Sequence, residues 1–335
     1  VRKPAALRAF RFYPLPKYKP SPHKPNQLMK IPFILLFSFT LLKVQSQNKD
    51  PMSTEIVTTD IDHFWQAMHK ADASITPSAL EEYYLKPGSP GVKAFTPGRI
   101  RSSEYLAKVI NSHWRYYQSI KPSTDSILTM KEPIRKALVK LKDLYPQAIF
   151  PPVYIVIGAL NSGGTSSDDG LIIGADMYGL TPTMPREELN EWLNTVIKPA
   201  SQVPHIVAHE LIHFQQNYDG GSLLQASLKE GSADFLAELI SGKHINQHVH
   251  DFANPREKEL WTEFKERMND KDYKGWLYGP SVPGRPNDLG YWMGYKIAQA
   301  FYNKTADKKD AIRQMLNIKN ATDFLKASGY EGSVK

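Results

Sequence analysis

The stretch PHIVAHELIHFQQ, residues 204–216, most narrows what this chain can fold into. It holds His209-Glu210-x-x-His213 inside an apolar-periodic run of Ile206, Val207, Leu211, Ile212 and Phe214, and Pro204 suits a first helical turn. Residues four apart on a helix share a face, so both imidazoles can reach one ion at about 2.0–2.1 Å. Glu210 then projects beside that ion, where a base for metal-bound water would stand. A second helix has to supply the rest. Residues 222–241 have its pattern (Leu223, Leu224, Leu228, Phe235, Leu236, Leu239, Ile240), and Gly220-Gly221 permits the reversal. Glu230 and Asp234 share a face there, so an antiparallel return can present Glu230 as third ligand and Asp234 as acceptor for a ligand imidazole N–H. Glu238, two turns beyond Glu230, is the rival third ligand. His205 is one turn too far along a straight helix to join the same ion and reads as a pocket or supporting residue. His244, His248 and His250 could frame a second metal site, but read better as a solvated turn after Gly242.

The chain has 335 residues and no cysteine, which removes disulfides, thiolate metal sites, cysteine nucleophiles and any lipid carried on cysteine. Metal chemistry is left to His and carboxylates. The net charge of +8 suggests a nucleic-acid partner until it is mapped. Residues 1–47 carry nine basic residues and no acidic one, which leaves the remainder at −1. The body has no basic run beside aromatics, and no nucleic-acid partner is expected.

From Met29 the chain reads MKIPFILLFSFTLLKVQSQ, a charged start, an apolar run to Leu42 and a polar exit, as in a secretory signal peptide over 29–47. Residues 1–28 read as an upstream leader, either non-native or disordered. The apolar run is short of the ~20 residues that span a bilayer, so no stable membrane span is expected after signal removal. Export to the periplasm or beyond the cell follows. Residues 48–335 are expected to form one domain, with a helical part over 59–147 and a metal-binding part over 148–335. Residues 48–58 read as a flexible start. Helices are expected over 102–120, 126–144, 186–197, 203–217, 222–241, 255–268, 288–303 and, with a break, 308–328. Strands are expected over 153–157 and 171–176, separated by a polar loop, 161–170. The fold class is α+β, mainly helical, with a small sheet preceding the motif helix.

The H-E-x-x-H motif followed by Glu230-x-x-x-Asp234 resembles the gluzincin arrangement of zinc metallopeptidases. The segments AHELIHFQQ, EGSADFLAELISG and GYWMGYKIAQAF, with IDHFWQAM and EEYYLKPGSPGVKAF, resemble a bacterial family of zinc-dependent protease-type proteins of unassigned function. The resemblance implies a zincin-like domain, one Zn2+ per chain on His209, His213 and Glu230, Glu210 as general base and Asp234 as support. Tyr291 and Tyr295, four apart on one helix face, are candidate oxyanion donors, with Arg285 nearby. Asn161, Gly163-Gly164 and an edge strand over 171–176 could border an extended peptide. The expectation is an exported zinc metallohydrolase, a peptidase acting on a peptide or protein substrate. One alternative is a zinc hydrolase of a non-peptide amide or ester. The other is a catalytically weak envelope binding protein that retains the metal site. Oligomeric state is not legible.

Overall fold

The computed structural model describes residues 47–278 and 282–333. The expected leader 1–28 and all of the signal segment 29–47 except Gln47 lie outside the described residues. Residues 46–335 form one compact unit, mainly helical with a small sheet, an α+β architecture. Among the described residues no helix is long and apolar enough to cross a membrane.

The sheet contains β1 (Ile56–Val57), β2 (Val153–Val156), β3 (Thr165–Ser167) and β4 (Gly170–Gly174) in the order β1-β2-β4-β3. β1 and β4 flank β2 in parallel, with Val57 opposite Tyr154 and Ile155 opposite Ile173. β3 returns antiparallel on β4, Thr165 opposite Ile172. β2 and β4 are buried throughout, as expected of strands covered on both faces. The edge strands are therefore β1 and β3, and 171–176 lies inside the sheet. The polar Thr165-Ser166-Ser167 run gave no apolar alternation and had read as loop. Nor is 48–58 flexible. Asn48 Oδ1 and backbone anchor this start: its carbonyl accepts from Phe150 N at 2.8 Å, and Arg135 donates to the carbonyls of Pro51, Met52 and Thr54 at 2.8, 2.7 and 3.2 Å.

α1 (Thr59–Met68) packs on β2, and four further helices position the site: α2 (Lys131–Leu144), α3 (Val203–Gln215), α4 (Leu223–Ser241) and α5 (Leu289–Lys304). α3 lies between the β3–β4 edge of the sheet and α4, with α2 packed on both helices. The expected helix 102–120 breaks at His113, whose φ, ψ of −131°, 41° leave the helical region while its Nδ1 sits 2.9 Å from the Val109 carbonyl. The 126–144 run breaks before Lys131, since Pro133 has no N–H and fits only a first turn. The 186–197 run splits at the extended Leu189, and Asn190 caps the second piece by accepting from Leu193 N at 2.9 Å.

α4 starts at a Ser222 cap, its hydroxyl accepting from Gln225 N at 3.3 Å, and stops at Gly242 (φ 88°), a left-handed position where glycine carries no Cβ penalty. α4 and α5 make the most extensive helix pair. They cross at Gly231 and Gly294, where a Cβ on Gly294 would stand 1.7 Å from the Ser227 carbonyl oxygen. Only hydrogen side chains allow that approach, and it fixes the height of Glu230 on α4.

Candidate metal centre

α3 and α4 bring His209, His213 and Glu230 together, with one ligand-type atom from each within 4.8 Å of the others. His213 Nε2 lies 3.0 Å from Glu230 Oε2 and 2.9 Å from His209 Nε2, and His209 Nε2 lies 3.7 Å from the same carboxylate oxygen. The imidazoles are held from behind. His209 Nδ1 stands 2.7 Å from Asp234 Oδ1, whose other oxygen accepts from Asn246 Nδ2 at 2.7 Å. His213 Nδ1 stands 2.8 Å from Gln216 Oε1, and Gln216 Nε2 donates to the Lys229 carbonyl at 2.8 Å, tying the end of α3 to α4.

The Gln216 amide oxygen can hold the His213 ring proton on Nδ1, whereas the Asp234 carboxylate stands beside His209 Nδ1 without the geometry of a hydrogen bond. Two Nε2 atoms and a carboxylate oxygen then converge, and without a metal ion a proton carried by His213 lies among them. Three acceptors at such distances repel unless a cation, a proton or a metal ion, lies between them. The electrostatics agree. Burial alone would lower the His213 pKa, but the Glu230 carboxylate overrides it and lifts the imidazole to about 9. Burial alone would raise Glu230, but His213 and then His209 hold it down at about 2. Asp288, at the start of α5, is pushed up to about 6 by burial and by the Glu230 and Asp234 charges. The basin is acidic and built for positive charge.

Glu210 is 7% exposed, and burial raises its carboxyl. It abuts the loop before β3: a Cβ on Gly164 would fall 2.7 Å from Glu210 Oε1. Tyr291 stacks on His209, ring centroids 6.1 Å apart at 19°. Tyr295 is elsewhere. Its hydroxyl donates to Glu238 Oε2 at 2.7 Å, which also takes the rival carboxylate away from the imidazoles. Arg285 pairs with Glu263 at 2.9 Å, with its guanidinium over Trp276. Asn161 donates to the Arg99 carbonyl, and the Gly163 carbonyl accepts from the Tyr178 hydroxyl. His205 contacts Ser241 Oγ at 2.9 Å, about three turns from Glu230 along α4. The turn after Gly242 is not all solvated: His250 is buried against Tyr295 and His244, and burial drives it down to about 4.

Sequence reasoning missed Gln216 and Tyr278. Gln216 lies in the motif segment itself, three residues after His213, a spacing that returns to the same helix face. Tyr278 donates its hydroxyl to Glu230 Oε1 from a Pro/Gly-rich loop, where periodicity gives no signal. Burial, then the Glu230 charge, raises its phenol.

Fold and cluster together define a mainly helical α+β protein with a buried centre of two imidazoles and a carboxylate. Residues 45–332 match the family model described as gliding motility protein GldB, and the chain belongs to that family. No curated protein and no solved structure matches it. The family overturns the expectation of a zinc metallopeptidase: it is one of gliding motility proteins, and the hydrolase, gluzincin and peptide-cleavage readings fall with it. The physical reason lies in the motif. The H-E-x-x-H spacing is what a helix needs to aim two imidazoles at one point with a carboxylate alongside, and that geometry places a cation without specifying turnover.

Proposed function

We propose that this chain is an envelope-associated component of gliding motility that holds one Zn2+ on His209, His213 and Glu230 and works by binding rather than by turnover. The observation that carries the reading is the convergence of three acceptor atoms, each braced from behind, in a chain of the gliding family. Two imidazoles and one carboxylate suit zinc, whose four-coordinate sites use such donors. Zinc there links α3 to α4 and stabilises the site by bridging them, with Asp234 and Gln216 orienting the rings. Export through the segment 29–47 delivers the chain to the envelope.

The test is elemental mass spectrometry of the full chain, with gliding scored in cells whose only copy is the variant. About one zinc per chain is expected, lost in both His213→Ala and Glu230→Ala. Glu210→Gln keeps zinc and supports gliding, whereas His213→Ala does not. A protein offered zinc that binds none refutes the metal centre. Gliding lost in Glu210→Gln with zinc retained refutes the claim that binding suffices.

A further inference from the structure

A second group of titratable side chains lines a cavity that the metal centre does not use. The cavity, about 420 Å³ and open to solvent, is lined by Lys198, Gln202, His244 and His248, with Thr195 and Asp251. Separate segments meet there, and each is held. Lys198 donates its backbone N–H to the Met177 carbonyl at 3.0 Å, and its own carbonyl accepts from Leu180 N at 3.1 Å. His244 stacks on the buried His250, ring centroids 4.2 Å apart, and the same turn carries Asn246, which holds Asp234. His248 stands on the helix Gln247–Ala253.

The charges there are unbalanced. Lys198 is half-buried, and among the described residues no acid pairs with it; Asp288 supports its charge from beyond ion-pair range. Burial, then the Lys198 charge, holds His248 down at about 4. His244 Nδ1 and Gln202 Oε1 are buried with no hydrogen-bond partner. Asp251, the acid on this cavity, is engaged by Gln247 Nε2 at 2.7 Å. A half-buried ammonium that discharges its imidazole neighbour lacks an anion. A metal ion does not answer the need, since among the described residues only His209, His213 and Glu230 bring three ligand atoms together.

We propose that this cavity binds a phosphate group, carried by a free phosphate ester or by a phospholipid headgroup. Lys198 supplies the charge, as a compact ammonium does for phosphate elsewhere. His244 and His248 are ring N–H donors, and His248 gains a proton from solvent as the anion arrives, because a nearby negative charge favours the imidazolium. The Thr195 hydroxyl and the Gln202 amide, rotated to present its nitrogen, are further donors. Together they exceed what the two oxygens of a carboxylate can use, whereas a phosphate ester offers three. The volume leaves room for the group that the phosphate carries.

The test is calorimetric titration of the full chain with glycerol phosphate and with acetate at constant ionic strength, beside co-sedimentation with phosphatidylglycerol vesicles. Saturable binding of a phosphate probe is expected, at least about tenfold weaker in Lys198→Met and within about threefold of wild type in Lys198→Arg. Lys265→Met, a change to an exposed lysine elsewhere, should leave binding as it was. Proton NMR should show the His248 ring signals shifting on binding while those of the exposed His69 stay. Free ester that binds assigns a soluble ligand; vesicles that bind when the free ester does not, and lose binding in Lys198→Met, assign the headgroup. Binding of neither probe, acetate binding as tightly as phosphate, or a loss in Lys198→Met no larger than in Lys265→Met overturns the site. None of these readouts depends on zinc, so this site and the metal centre stand or fall separately.

Discussion

Gly294→Ala is expected to be among the most damaging single-methyl additions in this protein. The new Cβ would stand 1.7 Å from the Ser227 carbonyl oxygen and 2.5 Å from its carbon, whereas ordinary contact begins at 3.4 Å. The obstacle is backbone on α4, so no side chain can rotate aside, and the helices must part by about 1.5 Å or bend. Overpacking of flexible side chains costs about 1–3 kcal/mol; with backbone on both sides about 3–5 kcal/mol is expected. Against a typical stability of about 5–15 kcal/mol, that is a large share. Urea unfolding followed by tryptophan fluorescence measures it, because Trp276 and Trp292 are buried beside the crossing and will report its loss. Gly231→Ala should behave alike, since its Cβ would meet Tyr295 N at 2.1 Å, and it should also displace the adjacent Glu230. Gly98→Ala is the control: nothing lies within 4 Å of its Cβ, and a change within about 1 kcal/mol is expected. A Gly294→Ala protein within about 0.5 kcal/mol of wild type would show that the helices do not pack as closely as described.

Three other outcomes follow from particular contacts. Asp176 is fully buried and accepts from the Gly158 and Leu160 amides at 2.6 and 2.7 Å, yet burial pushes its carboxyl up to about 6. The folded protein therefore holds a proton there that the unfolded chain releases near pH 4, and this group's contribution to stability falls as pH rises from about 4 to 6. The stability advantage of wild type over Asp176→Asn should shrink by about 2–3 kcal/mol between pH 4 and 7, and an unchanged difference in urea titrations would count against the shift. Arg135→Ala removes three donors to the 51–54 carbonyls, so hydrogen exchange at Ile56 and Val57 should accelerate at least about tenfold while α4 stays protected; equal exchange would mean that β1 holds itself. Gly242→Ala forces a Cβ into a left-handed cap and should cost about 1 kcal/mol in thermal or urea unfolding, with a neutral effect contradicting the cap geometry.

What was legible in the sequence was whatever repeats at helical spacing. His209, His213, Glu230 and Asp234 could be brought together from i, i+4 intervals and one glycine-permitted reversal, because helix geometry turns spacing into direction. Glu230 rather than Glu238 was also accessible, since Asp234 then stands behind a ring, although the capture of Glu238 by Tyr295 was not. β1 and β3 escaped because their residues are polar or few, and their pairing depends on distant partners such as Arg135 and β4. Tyr278 escaped because a loop carries no period from which to read a direction. The activity was misread for a different reason. Ligand spacing describes where a cation can sit, and the same spacing serves a site that binds and a site that turns over.

The bracing behind the rings gives the proposed centre its sharpest local test. Asp234 Oδ1 stands 2.7 Å from His209 Nδ1, and its other oxygen is occupied by Asn246. A carboxylate there can only accept, so in the proposed zinc-bound centre it would favour the proton on Nδ1 and free the Nε2 lone pair for the ion. Asp234→Asn keeps shape and volume but offers an amide that can donate to Nδ1. His209 can then shift its proton to Nε2, the atom required for the ion. Zinc affinity measured by competition with a chelator should fall about 10–100-fold in Asp234→Asn, with the melting temperature of the zinc-free protein little changed. Glu238→Gln, on the same helix but bound to Tyr295, should leave affinity where it was. Were Asp234→Asn to bind zinc as tightly as wild type, the tautomer would not be set by Asp234, and the account of three lone pairs awaiting a cation would lose its basis.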